Sequence, residues 1–349
     1  MESPQIDSEA DWNRLATAAS QEGLLPLLMY APPPEIANLM ARATALRALV
    51  DHRHALQATA ARTFVSIYGE GVFYKGWDLR HRLYSLPQLR PSADLDVLVR
   101  RSKVSGVRKA LTTAGHPQVR SASGTGWAPF YYELGFDIGE VRVEVHRSAF
   151  QPVRATVDYD EIHAARESFV ADGVTYYRPS ALHATVLHAL ALAKDEMAVP
   201  MIRFVDFWLM LRRWPDQIGP AIDLARRWSL RRALYASAHL TGILFGGIPS
   251  LAQIESELVT RRERTFLNSK VLPDRTRMAS GHNDGRAAQV WRKFWLMDNV
   301  RRRVAFAGFH AVTVAAAAVT EALSRGAVER YRREKAAGLG AQGAGKTRK

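Results

Sequence analysis

The stretch that decides the fold is Phe73–Val99, FYKGWDLRHRLYSLPQLRPSADLDVLV. Its apolar start leads into a Lys75-Gly76 turn, a short helix follows over residues 78–84, and a loop over residues 86–93 is kept extended by its prolines. The segment ends in a strand, DLDVLV. Because successive side chains of a strand point to opposite faces, Asp94 and Asp96 share one face while the apolar residues between them share the other.

Two neighbouring carboxylates repel each other unless a cation or a proton lies between their oxygens, and Mg²⁺ suits carboxylates together with substrate phosphates. A second acidic strand, Val141–His146, carries valines on one face and Arg142, Glu144 and His146 on the other. If the two strands pair with their valines in the core, Glu144 reaches the same cleft as the aspartates. Three carboxylates would then hold two metal ions, which activate an attacking hydroxyl and stabilise the leaving oxygens at phosphorus.

The order of these features is specific: Lys75-Gly76, Leu79, Leu83-Tyr84, Arg90, Asp94-Leu95-Asp96 and Val143-Glu144-Val145-His146. It resembles the bacterial nucleotidyltransferase-like proteins of the polymerase-beta superfamily, and more narrowly an uncharacterised nucleotidyltransferase family with a KG…R…DxD signature. Weaker similarity extends over roughly residues 10–250. It includes Asp11-Trp12, the LLPLL run at Leu24–Leu28, and Arg203–Asp206 with Leu209 and Leu211. The superfamily usually has Gly-Ser or Gly-Gly, and a shorter spacer to the first Asp, where this chain has Gly76-Trp77.

The resemblance implies a metal-dependent nucleotidyltransferase that moves an NMP from an NTP to an acceptor hydroxyl and releases pyrophosphate. Asp94, Asp96 and Glu144 would be its catalytic residues and would bind Mg²⁺ or Mn²⁺, with ATP as the expected nucleotide. The acceptor stays open among a sugar, an antibiotic-like small molecule, a protein hydroxyl and RNA. Two alternatives are a catalytically silent nucleotide-binding or scaffold protein with the same fold, and an RNA- or tRNA-modifying transferase.

The basic residues of the stretch are expected to bind the nucleotide. Lys75 ends the first strand, Gly76 forms the turn, and Arg90 lies four residues before Asp94, so both cations would approach the triphosphate from the side opposite the metals. An Arg fork suits phosphate oxygens, and Lys supplies a point charge. The alternative is that Lys75 and Arg90 neutralise the acidic cluster when no substrate is present.

His146 is expected to support the site, because it follows Glu144 by two residues on the same strand face. Its ring would hydrogen-bond a metal-bound carboxylate or a phosphate oxygen, while a general base and a merely packed histidine are the alternatives. Farther along, Arg203 and Asp206 are three residues apart and share a helical face. They form either an ion pair within that helix or, with Lys194, part of the active-site cleft.

The predicted fold class is α+β, with a small mixed sheet as the nucleotidyltransferase core. Four segments are expected: an N-terminal helical segment over 1–70, the α/β core over 71–178, a mostly helical domain over 179–323, and a tail over 324–349. Ser180 is the expected cap of the first helix after the core. The tail is rich in Gly and Ala and has little to bury, so we expect it to be disordered.

Composition narrows the function further. The 349 residues include no cysteine, which excludes a disulfide framework and thiolate chemistry, and the start resembles no signal peptide, so we expect a cytoplasmic protein. The net charge is +14, and the tail holds eight Lys or Arg against two Glu. Such a tail would contact nucleic acid or an anionic surface weakly and in a salt-dependent way, or would only aid solubility. The oligomeric state cannot be read from the sequence.

Three other patterns are interpreted as unrelated to the site. Residues 340–347 match the P-loop letters, but no helix has room to follow them. The uncharged run over 304–320 is Ala-rich and interrupted by polar residues, which favours a buried helix over a membrane span. His52 and His54 point to different sides of a helix, which is unlike a metal pair.

Overall fold

A computed structural model of the chain describes residues 9–30, 40–119, 133–149, 154–272 and 286–308. The chain divides into a unit over Met1–Asn299 and a second unit over Val300–Lys349, in which the described residues 300–308 are helical. The P-loop look-alike, the basic tail and most of the uncharged run lie outside the described residues. None of the described helices is long and apolar enough to cross a membrane.

Helices occupy both ends of the first unit. Its described α-helices are α1 Glu9–Gln21, α2 Leu25–Tyr30, α3 Met40–Ile67, α4 Gly76–Leu83, α5 Val104–Thr113, α6 Tyr159–Ala164, α7 Ala181–Lys194, α8 Met201–Arg213, α9 Ile218–Arg227, α10 Arg231–Phe245, α11 Pro249–Leu258, α12 Arg261–Phe266 and α13 Arg286–Trp295. The Ser180 hydroxyl accepts a hydrogen bond from the His183 amide at the start of α7, so the predicted cap is confirmed.

The described residues between the helical parts form seven strands: β1 Val72–Tyr74, β2 Asp94–Leu98, β3 Gln118–Val119, β4 Glu133–Ile138, β5 Val141–His146, β6 Glu167–Ala171 and β7 Val174–Arg178. They form one sheet in the order β3-β4-β5-β2-β1-β7-β6. The pairs β2–β5 and β1–β7 are parallel, and the other neighbours are antiparallel. The predicted α+β class with a mixed sheet between helical segments is therefore confirmed.

The two faces of the sheet pack against different partners. Leu95 and Val97 of β2 belong to a core with Phe64 of α3 and Val107 of α5. Leu98 of β2 points the other way and joins the core of the C-terminal helices. Because Asp94 and Asp96 share the face of Leu98, they look towards those helices. Alternation within β2 thus places the carboxylates between the sheet and the helical part.

The same core crosses the predicted boundary between sheet and helices. Leu79 and Leu98 from the sheet region are buried in one cluster with Leu190 of α7 and Leu234 of α10. All described strands fall within residues 71–178 and all the later elements are helical, but apolar packing links them. The four-segment division remains a prediction about sequence boundaries.

Helix α4 begins where two chain segments come very close. A Cβ on Gly76 would collide with the Ser92 side chain and press on the Arg90 guanidinium, so only glycine fits without a shift. Trp77 points away from this contact and is fully buried against Phe73 and Tyr176. The bulky residue beside Gly76 therefore lies in the core and leaves the cleft open.

Because of this close approach, we expect two glycine-to-alanine substitutions to change the free energy of unfolding in opposite directions. Gly76→Ala should lower the free energy of unfolding by about 1–3 kcal/mol, because the added methyl must displace Ser92 or Arg90. Gly106→Ala is the matched control: it lies in the exposed part of α5 with nothing within 4 Å of the new Cβ, and should raise that free energy by about 0.5–1 kcal/mol. Urea denaturation measures both, and equal stabilisation by the two variants would contradict the close contact.

Candidate active site

Parallel pairing of β2 and β5 assembles an acidic cluster. The register places Asp96 opposite Glu144 and Leu98 opposite His146, and Asp94 precedes Asp96 on the same face. Ligand atoms of Asp96, Glu144 and His146 all lie within 4.8 Å of one another. The structure therefore brings together the residues that the sequence predicted for the site, and it adds the His146 ring to the group of possible metal ligands.

His146 is fully buried beneath the two carboxylates. Its Nε2 lies 2.8 Å from Asp96 Oδ1 and 3.4 Å from Glu144 Oε2. With a proton on Nε2, the ring donates to Asp96 and orients that carboxylate. This is the contact that the sequence predicted for a supporting histidine.

Lys75 contributes positive charge to the cluster. Its Nζ donates to Asp96 Oδ1 at 2.5 Å, next to the His146 contact. Burial raises the pKa of Asp96, but the charge of Lys75 and the hydrogen bonds from His146 and Lys75 outweigh it and hold that pKa below its usual range. For Lys75, the structure matches the alternative in which the residue neutralises the cluster without substrate.

The other two carboxylates respond differently to the same surroundings. The hydrogen bond from His146 lowers the pKa of Glu144. Burial raises the pKa of Asp94, and so does repulsion by Asp96 and Glu144, while Ser92 Oγ gives it only a 3.3 Å contact. Asp94 thus lies in a field of negative charge, which is a favourable place for a cation.

Arg90 is held by a carboxylate outside the cluster. Its Nε and Nη2 donate to Asp206 Oδ2 at 3.0 and 2.7 Å, and Tyr84 Oη donates to Oδ1 of the same side chain at 2.7 Å. Asp206 is fully buried, and the Arg90 side chain is 9% exposed. The guanidinium therefore binds α8 directly, and its charge also interacts with that of Asp94.

Of the two alternatives for Arg203 and Asp206, the ion pair within α8 is not among the contacts of the described residues. Arg203 donates to Asp195 Oδ2 at 2.6 Å, across the loop that joins α7 to α8, while Asp206 turns inward to Arg90. Residues three apart are about 60° apart around a helix, which is enough for one to reach the cleft and the other the core. Asp206 therefore contacts the site indirectly, through the cavity-lining residue Arg90.

A cavity of about 450 Å³ lies over the acidic cluster. Its walls include the acidic residues Asp94, Asp96 and Glu144, the predicted nucleotide-binding residues Lys75, Gly76 and Arg90, and the predicted cleft residues Lys194 and Arg203. Its size suits a nucleotide-sized ligand. Asp206 is absent from the described lining.

Several residues that line this cavity were not predicted from the sequence. His188 and Asp195 line it from α7 and the following loop, and Ser20 and Gly23 line it from the N-terminal segment. Burial lowers the pKa of His188 to about 4, so its ring is neutral, with Nε2 2.7 Å from the Arg203 carbonyl oxygen. The spacing of His188, Ala191 and Lys194 marks one helical face and would have indicated the α7 wall.

Comparison with known proteins identifies a family for this chain. A family model described as an uncharacterised nucleotidyltransferase matches residues 8–246. The matched region runs from α1 to the end of α10 and contains the whole sheet and the acidic cluster. No curated protein matches the chain.

The Arg90–Asp206 pair predicts a large stability effect. Asp206→Asn should lower the free energy of unfolding by about 3 kcal/mol, because a buried guanidinium loses its counter-charge. Asp223→Asn is the matched control, since Asp223 pairs with Arg226 on an exposed helix surface and its loss should cost less than about 1 kcal/mol. Urea denaturation measures both variants. Similar small losses would contradict the structural role assigned to the buried pair.

Proposed function

Because this chain belongs to the family of uncharacterised nucleotidyltransferases, we propose that it transfers an NMP from an NTP to an acceptor hydroxyl in a metal-dependent reaction. The polymerase-beta-like superfamily, the KG…R…DxD signature and ATP as donor are part of the proposal. The observation that carries it is that Asp94, Asp96 and Glu144 line the 450 Å³ cavity together, with the buried His146 grouped with Asp96 and Glu144.

The donor atoms of the cluster fit a divalent cation. Carboxylate oxygens suit Mg²⁺ and Mn²⁺, and ligand atoms of Asp96 and Glu144 lie within 4.8 Å of each other and of a His146 ring nitrogen. Asp94, Asp96 and Glu144 would hold the ion, with His146 orienting Asp96. When bound, the ion would supply stabilisation of the negative charge that develops on the phosphate oxygens.

The reaction exchanges one bond at phosphorus for another. The acceptor oxygen forms a bond to the α-phosphorus, the bond from that phosphorus to the bridging oxygen breaks, and its electrons leave with pyrophosphate. The hydroxyl proton passes to a carboxylate of the cluster. Asp96 already accepts from Lys75 and His146, and the contact with His146 lowers the pKa of Glu144, so Asp94, whose pKa is raised, is the carboxylate best able to take that proton.

Five cationic side chains line the described part of the cavity, and we assign three of them, Lys75, Lys194 and Arg203, to the triphosphate. Lys75 and the amide end of α4 at Gly76 lie beside the carboxylates, and Lys194 and Arg203 lie on the wall formed by α7 and α8. Lys75, whose Nζ donates to Asp96, would be free to donate to a phosphate oxygen once that carboxylate holds a cation. Arg90 as a direct nucleotide ligand stays a prediction, and its pairing with Asp206 supports a positioning role.

The transfer activity can be tested with matched glutamate variants. The full chain with Mg²⁺ or Mn²⁺, an α-labelled NTP and host extract should release pyrophosphate and label an acceptor that mass spectrometry identifies. Glu144→Gln and Asp96→Asn should lower the rate by about 100-fold or more, because several kcal/mol of charge stabilisation are lost. Glu140→Gln, in the exposed turn before β5, should leave the rate unchanged.

Other results would favour the competing functions. Binding of metal and NTP without pyrophosphate release from any acceptor would indicate a silent nucleotide-binding protein. Labelled RNA as the main product would indicate an RNA-modifying transferase. Equal rates for Glu144→Gln and Glu140→Gln would contradict the assigned site.

A further inference from the structure

A second cavity adjoins the acidic one, on the side of α2 and α3. It has a volume of about 170 Å³ and shares six lining residues with the larger cavity, among them Arg53, Arg90 and Ser92. Its described lining contains three arginines and His54 but no Asp or Glu. The metal-binding carboxylates and Lys75 line the larger cavity only. The small cavity is thus a positively charged neighbour of the candidate active site.

Arg80 is the unusual member of this lining. It lies on α4, one turn after Gly76, and is 1% exposed. Its Nη1 is 3.2 Å from His54 Nδ1, and its guanidinium lies 5.3 Å from the centre of the Trp77 ring. Its Nε and Nη2 have no hydrogen-bond partner, and none of the described carboxylates forms an ion pair with it, although the charge of Asp94 acts on it from a greater distance. Arg80 is therefore a buried cation without a directly paired carboxylate in the described part of the chain.

Neighbouring arginines show that this fold does supply counter-charges. Arg82, two residues later, donates to buried Asp78 at 2.8 Å, and Arg90 pairs with buried Asp206. Burial lowers the pKa of Arg80 to about 9, with a contribution from the charge of Arg90, so the side chain is still cationic at neutral pH. A buried charge without a partner is costly to folding, and its Nε and Nη2 donors add to that cost.

We propose that the small cavity binds an oxyanion, a carboxylate or a phosphate, carried by the acceptor substrate, and that Arg80 is its anchor. The acceptor assignment rests on the proposed nucleotidyl transfer. The unpaired donors of Arg80 would bind the oxyanion through charge-assisted hydrogen bonds, and the exposed Arg53 at the shared wall would add positive charge.

The residues that line the small cavity favour the acceptor, and not the triphosphate, as its ligand. Leu25, Pro26, Leu49 and Val50 form an apolar side, which suits a short carbon skeleton. A triphosphate needs the metal-binding carboxylates, and these lie in the other cavity. An acceptor anchored at Arg80 would reach past Ser92 and present its hydroxyl to the acidic cluster. The substrate class is therefore a small hydroxylated molecule with an anionic group.

Calorimetric titration of the full chain tests this site directly. Inorganic phosphate and butyrate are the two probes, at constant ionic strength with chloride, and Mg²⁺ with an ATP analogue that cannot release pyrophosphate fills the nucleotide site. The wild type should bind at least one probe at one saturable site. Arg80→Met should weaken that binding by at least about 10-fold, as expected for the loss of charge-assisted hydrogen bonds. Arg62→Met, at an exposed position on α3, should leave it unchanged.

The melting temperature separates a binding role from a structural one. Without any anion, Arg80→Met should melt no lower than the wild type, because the variant removes an unpaired buried charge. If Arg80 only stabilised the fold through Trp77 and His54, the same variant would melt lower, and the proposal would be overturned. Undiminished probe binding in Arg80→Met, or no saturable binding in the wild type, would also overturn it.

Two further outcomes keep this proposal distinct from the proposed function. Loss of ATP-analogue affinity in Arg80→Met as large as the loss of probe affinity would assign Arg80 to the triphosphate and overturn the acceptor site. Asp96→Asn should retain Arg80-dependent probe binding even where transfer is lost, because Asp96 does not line the small cavity. Arg80-dependent binding in a chain that releases no pyrophosphate would contradict nucleotidyl transfer and with it the acceptor assignment.

Discussion

Repulsion among carboxylates on one face of β2 and β5 is the constraint on which the site depends. Asp96 lies opposite Glu144, and Asp94 is two residues away on the same face. Lys75 and His146 both contact one oxygen of Asp96, which compensates part of the negative charge. Lys75 adopts a positive φ of 54° just before α4, a conformation that is costly for a residue with a side chain. The local backbone therefore accepts strain at the point where a cation meets the cluster.

A second buried charge pair joins the two halves of the chain around this cluster. Arg90 follows the loop that approaches Gly76, and its partner Asp206 lies 116 residues later on α8. The pair fixes the loop, and with it Ser92 and Asp94, against the helical part. Since apolar packing also crosses from Leu98 to the helices, we expect the site to lose its geometry if either part shifts.

The sequence predicted those parts of the site that depend on local periodicity. Alternation in DLDVLV and VRVEVH indicated two strands with acidic faces, and the structure pairs them with Asp96 opposite Glu144. Helical spacing placed Arg203 near Asp206 but could not tell which neighbour each would face, because that depends on tertiary packing. The partner of Arg90 could not be predicted either, because Asp206 lies 116 residues away in the sequence. The burial of Arg80 also depends on tertiary packing around α4, which local periodicity does not show. The family resemblance, more than periodicity, connected the acidic strands to nucleotidyl transfer.

On the proposed function, the acidic cluster on β2 and β5 binds a divalent cation together with a nucleotide. Electron paramagnetic resonance of Mn²⁺, titrated into the full chain with a nucleotide that cannot release pyrophosphate, measures that binding most directly. We expect saturable Mn²⁺ binding that depends on the nucleotide. In a double Asp94→Asn, Asp96→Asn variant, the Mn²⁺ affinity should fall by more than about 100-fold. Loss of a residue that only orients a metal ligand costs about 10- to 100-fold, and these two residues would be ligands themselves. Equal Mn²⁺ binding by the wild type and the double variant would contradict this expectation.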